Sequence, residues 1–451
     1  MLSLSTRSSR FYLAAGLLIR ECFSFWTGHP FDVEIWIRNA YYVAMGDSPY
    51  GVLQPIQGLS FAYLNKPLYS VGYLPLWSLM LAALYRAYTV LAVTNRFILI
   101  FFIKQPEIVG DVLLGYTVFK AVSRFGGTID AAKGALGFWM LCPYPIIISA
   151  IWGQFDGLVA FLWVSFLLVQ FPIRRSILLA LGVLLKFFPA IALVYYLFLG
   201  RLASWRITAL AVFIPTSFTV LAFAFLGWSY QPVLQTLQAD THGVPAGMTY
   251  TRLLAEPFIL PLVNQINNFF LIAGLLWIPA LLIASILALK FFPKPTPANS
   301  VQAVLLITIF FFLTRWSVYE QYIIYLIAFL LIDVALWHPQ RRGLFHVTWM
   351  LSLIFLVINN LLFIRFLGPS IPSAVDYDSF LDNASMIAGI RYALLDVMGV
   401  LFSIHLIQLA LVIASPKRDT ASWFTRVIKW PISGINRKSR KIIEAPPEIR
   451  L

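Results

Sequence analysis

"SILLALGVLLKFFPAIALVYYLFLG", residues 176–200, is the stretch that decides the fold. Its only charged residue is Lys186. A helix at the surface of a soluble protein keeps a polar face toward water, and this run has none. An apolar run of this length reads as helix embedded in a bilayer. It is broken at Lys186-Phe187-Phe188-Pro189, because proline removes a helix donor and clashes with the preceding turn. Arg174 and Arg175 precede the run, and Arg201 and Arg206 follow it. Cytoplasmic loops carry an excess of Lys and Arg, so both ends face the cytoplasm. The run therefore reads as two short spans, 176–187 and 189–200. The break sits deep in the membrane or at its outer face.

The same reading extends to the whole chain. Hydrophobic residues make up 60% of the 451 and charged residues only 12%, against about 25% charged in a soluble domain. Apolar runs recur from residue 10 to residue 415, and the short alternating strands of a barrel are not evident. The fold class is thus all-α, a polytopic membrane protein of about 12 transmembrane helices. Lys120, Arg124 and Lys133, then Lys290 and Lys294, then Arg341 and Arg342 mark further cytoplasmic loops. Asp47, Asp240, Asp376, Asp378 and Asp382 fall in the outer segments between them. The spans predicted are 10–26, 106–122, 134–151, 157–171, 176–187, 189–200, 207–228, 269–290, 300–315, 321–337, 344–363 and 389–414, with both termini cytoplasmic. The first run lacks a small-residue cleavage site and reads as a retained span.

Residues 71–103 are apolar enough for one more span, yet a single crossing would spoil the charge parity. They are expected to form a hairpin or interfacial helices within one long outer loop, 27–105. The outer loops 229–268 and 364–388 are also long for helix connections, which points to function on that face. Residues 1–415 form the membrane domain, and 416–451 a basic cytoplasmic tail attracted to anionic lipid. The net charge of +14 lies in short loops and in that tail, a membrane pattern and not a nucleic-acid one. Cys22 and Cys142, and the dispersed His29, His242, His338, His346 and His405, suggest neither a disulfide framework nor a metal site.

The chemistry-bearing segment is "GHPFDVEIWIRNAYYVAMGDSPYGV", residues 28–52. Asp32 and Glu34 stand just beyond the first span, where carboxylates do nothing for insertion. Residues 33–45 have an amphipathic pattern, with Trp36, Ile37, Ala40, Tyr41 and Ala44 on one face and Glu34 four residues before Arg38 on another. They predict a helix near the membrane plane with Trp36 and Tyr41 at headgroup depth. In a plainer reading Asp32 caps this helix and Glu34 only pairs with Arg38.

The stretches "FDVEIWIRNAYYVAMGDSPYG", "YSVGYLPLWSLMLA", "KQPEIVGDVLLGYTVFKAV" and "WGQFDGLVAFLWV" resemble the C superfamily of membrane glycosyltransferases, which use dolichyl- or polyprenyl-phosphate sugars. The likeness is to bacterial and archaeal mannosyltransferase-like proteins and to the first mannosyltransferase of GPI-anchor assembly. It covers about the first 165 residues; "LLKFFPAIAL" and "WSVYEQYIIYLIAFLL" match more loosely. The resemblance implies a conserved module of about seven spans, near 10–228, and a catalytic acid in the first outer loop, at Asp32. Some relatives carry two aspartates around one residue where this chain has Asp-Val-Glu. That departure leaves metal dependence open; a divalent cation is not expected, because one carboxylate pair without a third nearby acid makes a weak metal site, and no other cofactor is implied.

Sugar transfer to a hydroxyl needs a general base, and the departing lipid phosphate needs a cation. Asp32 and Glu34 are the catalytic candidates. Lys186, Arg252, Arg315 and Arg365 are the candidate phosphate partners; Lys186 could instead snorkel to the interface, and Arg252 be a plain loop cation. Trp152, Gln154 and Asp156 of "WGQFDG" are candidates for substrate contact or for a simple helix boundary. Tyr319 and Glu320 follow Arg315 and belong either to the donor site or to a local ion pair. Asp111, inside a span, is expected to be a structural partner.

The expected function is transfer of a hexose, mannose by resemblance, from a polyprenyl-phosphate donor to a glycan, lipid or protein acceptor at the outer or lumenal face, with inversion. The membrane is a cell membrane, or the endoplasmic reticulum in a eukaryote. The alternatives are a carrier or flippase of lipid-linked sugar and a noncatalytic subunit of a glycosylation complex. Nucleic acid is not among the expected partners.

Overall fold

The computed structural model describes residues 7–61, 66–70, 72–198, 202–234, 247–256, 259–261, 269–383 and 385–414. Asp240, His242 and the predicted tail 416–451 lie outside the described residues, as do the side chains of Asp378 and Asp382. The first half of the chain runs α1 (Arg7–Ser24), α2 (Pro30–Met45), the strands β1 (Val52–Leu53) and β2 (Leu68–Tyr69), α3 (Pro75–Thr89), α4 (Arg96–Arg124), α5 (Ile129–Leu141), α6 (Pro143–Ile146), α7 (Asp156–Leu168), α8 (Pro172–Leu185), α9 (Leu193–Phe198) and α10 (Leu202–Leu226). The second half runs α11 (Phe269–Leu275), α12 (Trp277–Phe291), α13 (Pro297–Thr314), α14 (Ile323–Leu336), α15 (Arg342–Asn359), α16 (Ser373–Asn383) and α17 (Ser385–Ala414). The described residues are all-helical apart from the antiparallel β1–β2 pair.

Among the described residues five helical stretches are long and apolar enough to cross a membrane: Trp205–Leu226, Ile272–Phe291, Pro297–Thr314, Pro339–Asn359 and Met386–Ala414. Ile129–Leu141 and Pro143–Trp152, bent by 45°, make a sixth if they form one crossing. The sequence explains where the helices start. Proline opens α2, α3, α6, α8 and α13, where its missing N–H costs nothing. Asn95 caps α4 by accepting from the N–H groups of Phe97 and Ile98, and Thr128 caps α5.

α4 and α7 form the tightest crossing. A Cβ on Gly110 would lie 2.4 Å from Leu158 Cβ, and one on Gly157 would lie 3.1 Å from Asp111 Cα. Only glycine allows the two backbones to come this close. Asp111 is the partner of Arg20 at 2.7 Å and also accepts from Ser149 and the Trp139 indole, tying α1, α4 and α5 together. α14 is buried from Ile323 to Asp333, as a helix apolar all round should be. At one end of the bundle Arg124 donates to the carbonyl of Leu168, and Arg341 links Asp333 (2.9 Å) to the carbonyl of Val412 (3.1 Å). The acidic and aromatic cluster described below gathers at the other end.

Three expectations are corrected, and one alternative falls away. α4 begins at Arg96, ten residues before the predicted span, because the Asn95 cap fixes its start and Pro106 is carried inside the helix. The stretch 364–388 is not a loop: it holds a 3₁₀ turn, Ile364–Leu367, then α16 and the first turn of α17. Residues 33–45 are helical, but Trp36 is 1% exposed and lies inside the protein. Its ring meets Tyr73, Trp77 and Phe155, and its indole donates to the carbonyl of Gly153. The reason is that α2 is covered on its second face too. Arg38 donates to the carbonyls of Leu53 and Lys66 at 2.8 Å, and Glu34 accepts from the Phe61 N–H at 3.0 Å, which fastens the β1–β2 loop over the helix. Lys186 does not snorkel; it is buried against Asp156.

Candidate functional site

Asp32 stands in the first turn of α2, where a carboxylate also meets the helix dipole favourably. Its Oδ2 accepts from the Trp152 indole at 2.6 Å, and Gln154 donates to the same carboxylate. His29 Nδ1 stands 3.0 Å from Oδ2, in ion-pair reach without the alignment of a full hydrogen bond. Burial acts to raise the Asp32 pKa. The adjacent His29 and the donors Trp152 and Gln154 outweigh it and hold the carboxyl below its usual value. The group remains 17% exposed, so a substrate hydroxyl has a route to it.

Trp152 reaches Asp32 because the chain after α6 widens into a π-helical turn, Ile147–Trp152, and then reverses at Gly153, φ +91°. π-turns of this kind are frequent at functional sites. The His29 ring stacks on Trp152 with centroids 5.2 Å apart, and Phe366 packs against both rings.

The break in the opening sequence stretch is the second half of the site. α8 ends at Lys186, whose Nζ lies 2.9 and 2.8 Å from the two oxygens of Asp156. The Tyr325 hydroxyl donates to Asp156 Oδ1 at 2.8 Å. The Lys186 ammonium lies over the rings of Tyr322 (4.8 Å), Phe155 (5.1 Å) and Tyr73 (5.5 Å). Arg315 lies over Phe311 and Tyr322, each at 5.3 Å, and no acid pairs with it among the described residues. Lys186 is in electrostatic reach of both Asp32 and Arg315.

Beneath these groups Lys104 donates to the carbonyls of Thr27 (2.6 Å) and Ala150 (2.7 Å), pinning the end of α1 to the π-turn. Glu107 is fully buried one turn along, with neither oxygen hydrogen-bonded among the described residues. It lies in electrostatic reach of Lys104, Asp32 and Asp156. Glu320 accepts from Asn359 at 2.6 Å, with His29 and Arg365 in electrostatic reach. The local ion pair with Arg315, one of its two sequence readings, is not formed among the described residues.

Asp32, Trp152, Gln154, Asp156, Lys186, Arg315 and Glu320 thus share one end of the bundle. Glu34 does not face the same opening: it is fully buried and committed to Arg38 at 2.6 Å. Arg252, on the 3₁₀ turn Tyr250–Ala255, pairs with Asp396 at 2.8 Å. Tyr319 is 41% exposed. The sequence reading missed His29, Lys104, Glu107, Tyr322, Tyr325 and Asn359. Lys104 and Glu107 carried a readable signal, two charges three residues apart in an apolar run. His29 lies three residues before Asp32, within one turn. The tyrosines and Asn359 carried none, since they depend on helix packing from the second half of the chain.

The cluster thus sets a partly open carboxylate at the same end as two cations, Arg315 and, paired with Asp156, Lys186, among largely buried side chains. Among the described residues no group of three His, Cys, Asp or Glu side chains is placed to hold a metal ion. No protein-family model matches the chain, and no curated protein matches it.

Proposed function

We propose that the chain is a membrane glycosyltransferase that moves a hexose, mannose by resemblance, from a polyprenyl-phosphate donor to an acceptor hydroxyl, with inversion. The observation that carries this is that Asp32, a partly open carboxylate, lies at the same end of the bundle as the cations Lys186 and Arg315. Asp32 takes the proton of the acceptor hydroxyl as its oxygen attacks the anomeric carbon. The bond from that carbon to the phosphate oxygen breaks, and its electron pair leaves with the lipid phosphate. Arg315 and Lys186 stabilise that charge, Arg through its planar fork and Lys as a point charge. Trp152 and Gln154 hold the base in place.

On this reading the chain crosses the membrane about twelve times with both termini cytoplasmic. The end bearing Arg124 and Arg341 then faces the cytoplasm, and the Asp32 end faces outward. The family resemblance of about the first 165 residues supports the same assignment. The deciding experiment uses purified full-length protein in nanodiscs with a mannosyl polyprenyl phosphate. Wild type should release polyprenyl phosphate; Asp32→Asn should bind donor normally and turn over about a hundredfold more slowly or worse. Full turnover by Asp32→Asn would remove the base. A carrier of lipid-linked sugar is the second reading, favoured by the broken helix at Lys186–Pro189. It predicts donor translocation between leaflets with no bond broken.

A further inference from the structure

We propose that His29 works through Asp32 as a positioning and proton-relay residue: it orients the free carboxylate and then carries the acceptor's proton from Asp32 to water. This rests on the glycosyltransferase reading above and adds to it the fate of the proton.

His29 precedes α2 at its N-cap, yet its side chain does not cap the helix. The backbone N–H is already used, donating to the carbonyl of Trp152 at 2.9 Å. The imidazole is therefore held for another purpose. It is clamped face to face with Trp152, whose own indole donates to Asp32, so the imidazole and the indole share Oδ2 of one carboxylate. The ring is 18% exposed, a route to water that the buried Trp152 and Gln154 do not offer. The charged groups facing it are Asp32 on its own helix and, from the turn before α14, Glu320; Arg365 lies against Glu320. Phe366 closes the remaining side with an apolar edge.

The step balances simply. Transfer leaves one proton on Asp32. The neutral imidazole accepts it at Nδ1 and releases one to water from Nε2, which restores the ionised carboxylate.

The experiment measures kcat and donor KM for wild type, His29→Gln, His29→Ala and Asp32→Asn in nanodiscs, with thermal melts to confirm folding. His29→Ala should lose about tenfold in kcat with donor KM unchanged, and added imidazole should restore turnover. His29→Gln, whose side chain relays no proton, should lose kcat likewise with donor KM unchanged. If wild type is active and Asp32→Asn is not, while both His29 variants keep the wild-type kcat or imidazole restores nothing to His29→Ala, the relay is overturned and the transferase reading stands. If wild type transfers no sugar from any lipid-phosphate donor, both fall together.

Discussion

Lys186 and Asp156 should be strongly coupled, and the coupling can be measured. Asp156 is fully buried and Lys186 is 6% exposed, so neither charge has water to fall back on. Lys186→Met leaves Asp156 with the Tyr325 hydroxyl and its own backbone N–H but no cation; Asp156→Leu leaves an ammonium against three aromatic rings. Breaking one side of a buried pair costs about 3–5 kcal/mol, because an uncompensated charge remains. If the two changes were additive, the double variant would lie about 6–10 kcal/mol below wild type. The structure predicts far less. With both charges gone, the remaining loss is the Tyr325 hydroxyl without its acceptor, about 1–3 kcal/mol. Unfolding in mixed micelles, followed by tryptophan fluorescence, gives all four corners of the cycle. A double variant as unstable as the sum of the singles would refute the coupling. The same double variant separates structure from function. It should fold and still fail to transfer sugar, because the cation proposed to hold the donor phosphate is gone.

The other expectations test separate parts of the structure. Gly110→Ala should destabilise the protein by about 1–3 kcal/mol through overpacking, since the new methyl has only the backbone and Cβ of Leu158 to meet; the same unfolding assay reads it, and an unchanged midpoint would mean the α4–α7 crossing is looser than described. Glu34→Gln should lower stability and leave the turnover of the folded fraction within a few-fold of wild type, because Glu34 binds Arg38 and Phe61 and not the opening. The depressed Asp32 pKa has a signed consequence. Its stabilising contribution is complete above the unfolded carboxylate pKa, about 3.9, and is lost as pH falls through the lower folded value. The melting-temperature gap between wild type and Asp32→Asn should therefore be open at neutral pH and close in strong acid. Single cysteines at Phe31 and Tyr319, both exposed, should be labelled by impermeant reagents from the same side, and labelling from opposite sides would break the shared-end reading.

Much of the helical pattern was legible because membrane burial leaves long apolar runs, and Pro, Asn and Thr mark where helices begin. The break at Lys186-Phe-Phe-Pro189 was readable from proline chemistry alone, and it falls where the structure bends. The environment of α2 was not readable. Its pattern of apolar and charged positions is compatible with a membrane surface, and only the β1–β2 loop, reaching back through Arg38 and Glu34, converts it into a buried helix. The start of α4 failed for a similar reason: Pro106 looks like a boundary, and the Asn95 cap that overrides it sits in an otherwise unremarkable turn.

The site shows the same division between local and distant information. Asp32 could be singled out because a carboxylate beside a span needs a reason. Its partner Trp152 lies 120 residues away, and Tyr325 lies 169 residues from Asp156. No spacing rule connects such positions; they meet because α4, α7 and α14 pack with their polar residues at one end. Glu107 is the sharpest case. A carboxyl group costs free energy there, since neither oxygen is hydrogen-bonded among the described residues, yet it lies in electrostatic reach of Lys104, Asp32 and Asp156. A packed helix bundle would be more stable with an apolar residue there. Its place beneath Asp32 ties that cost to the electrostatics of the proposed site, which the local sequence could flag as unusual but could not locate.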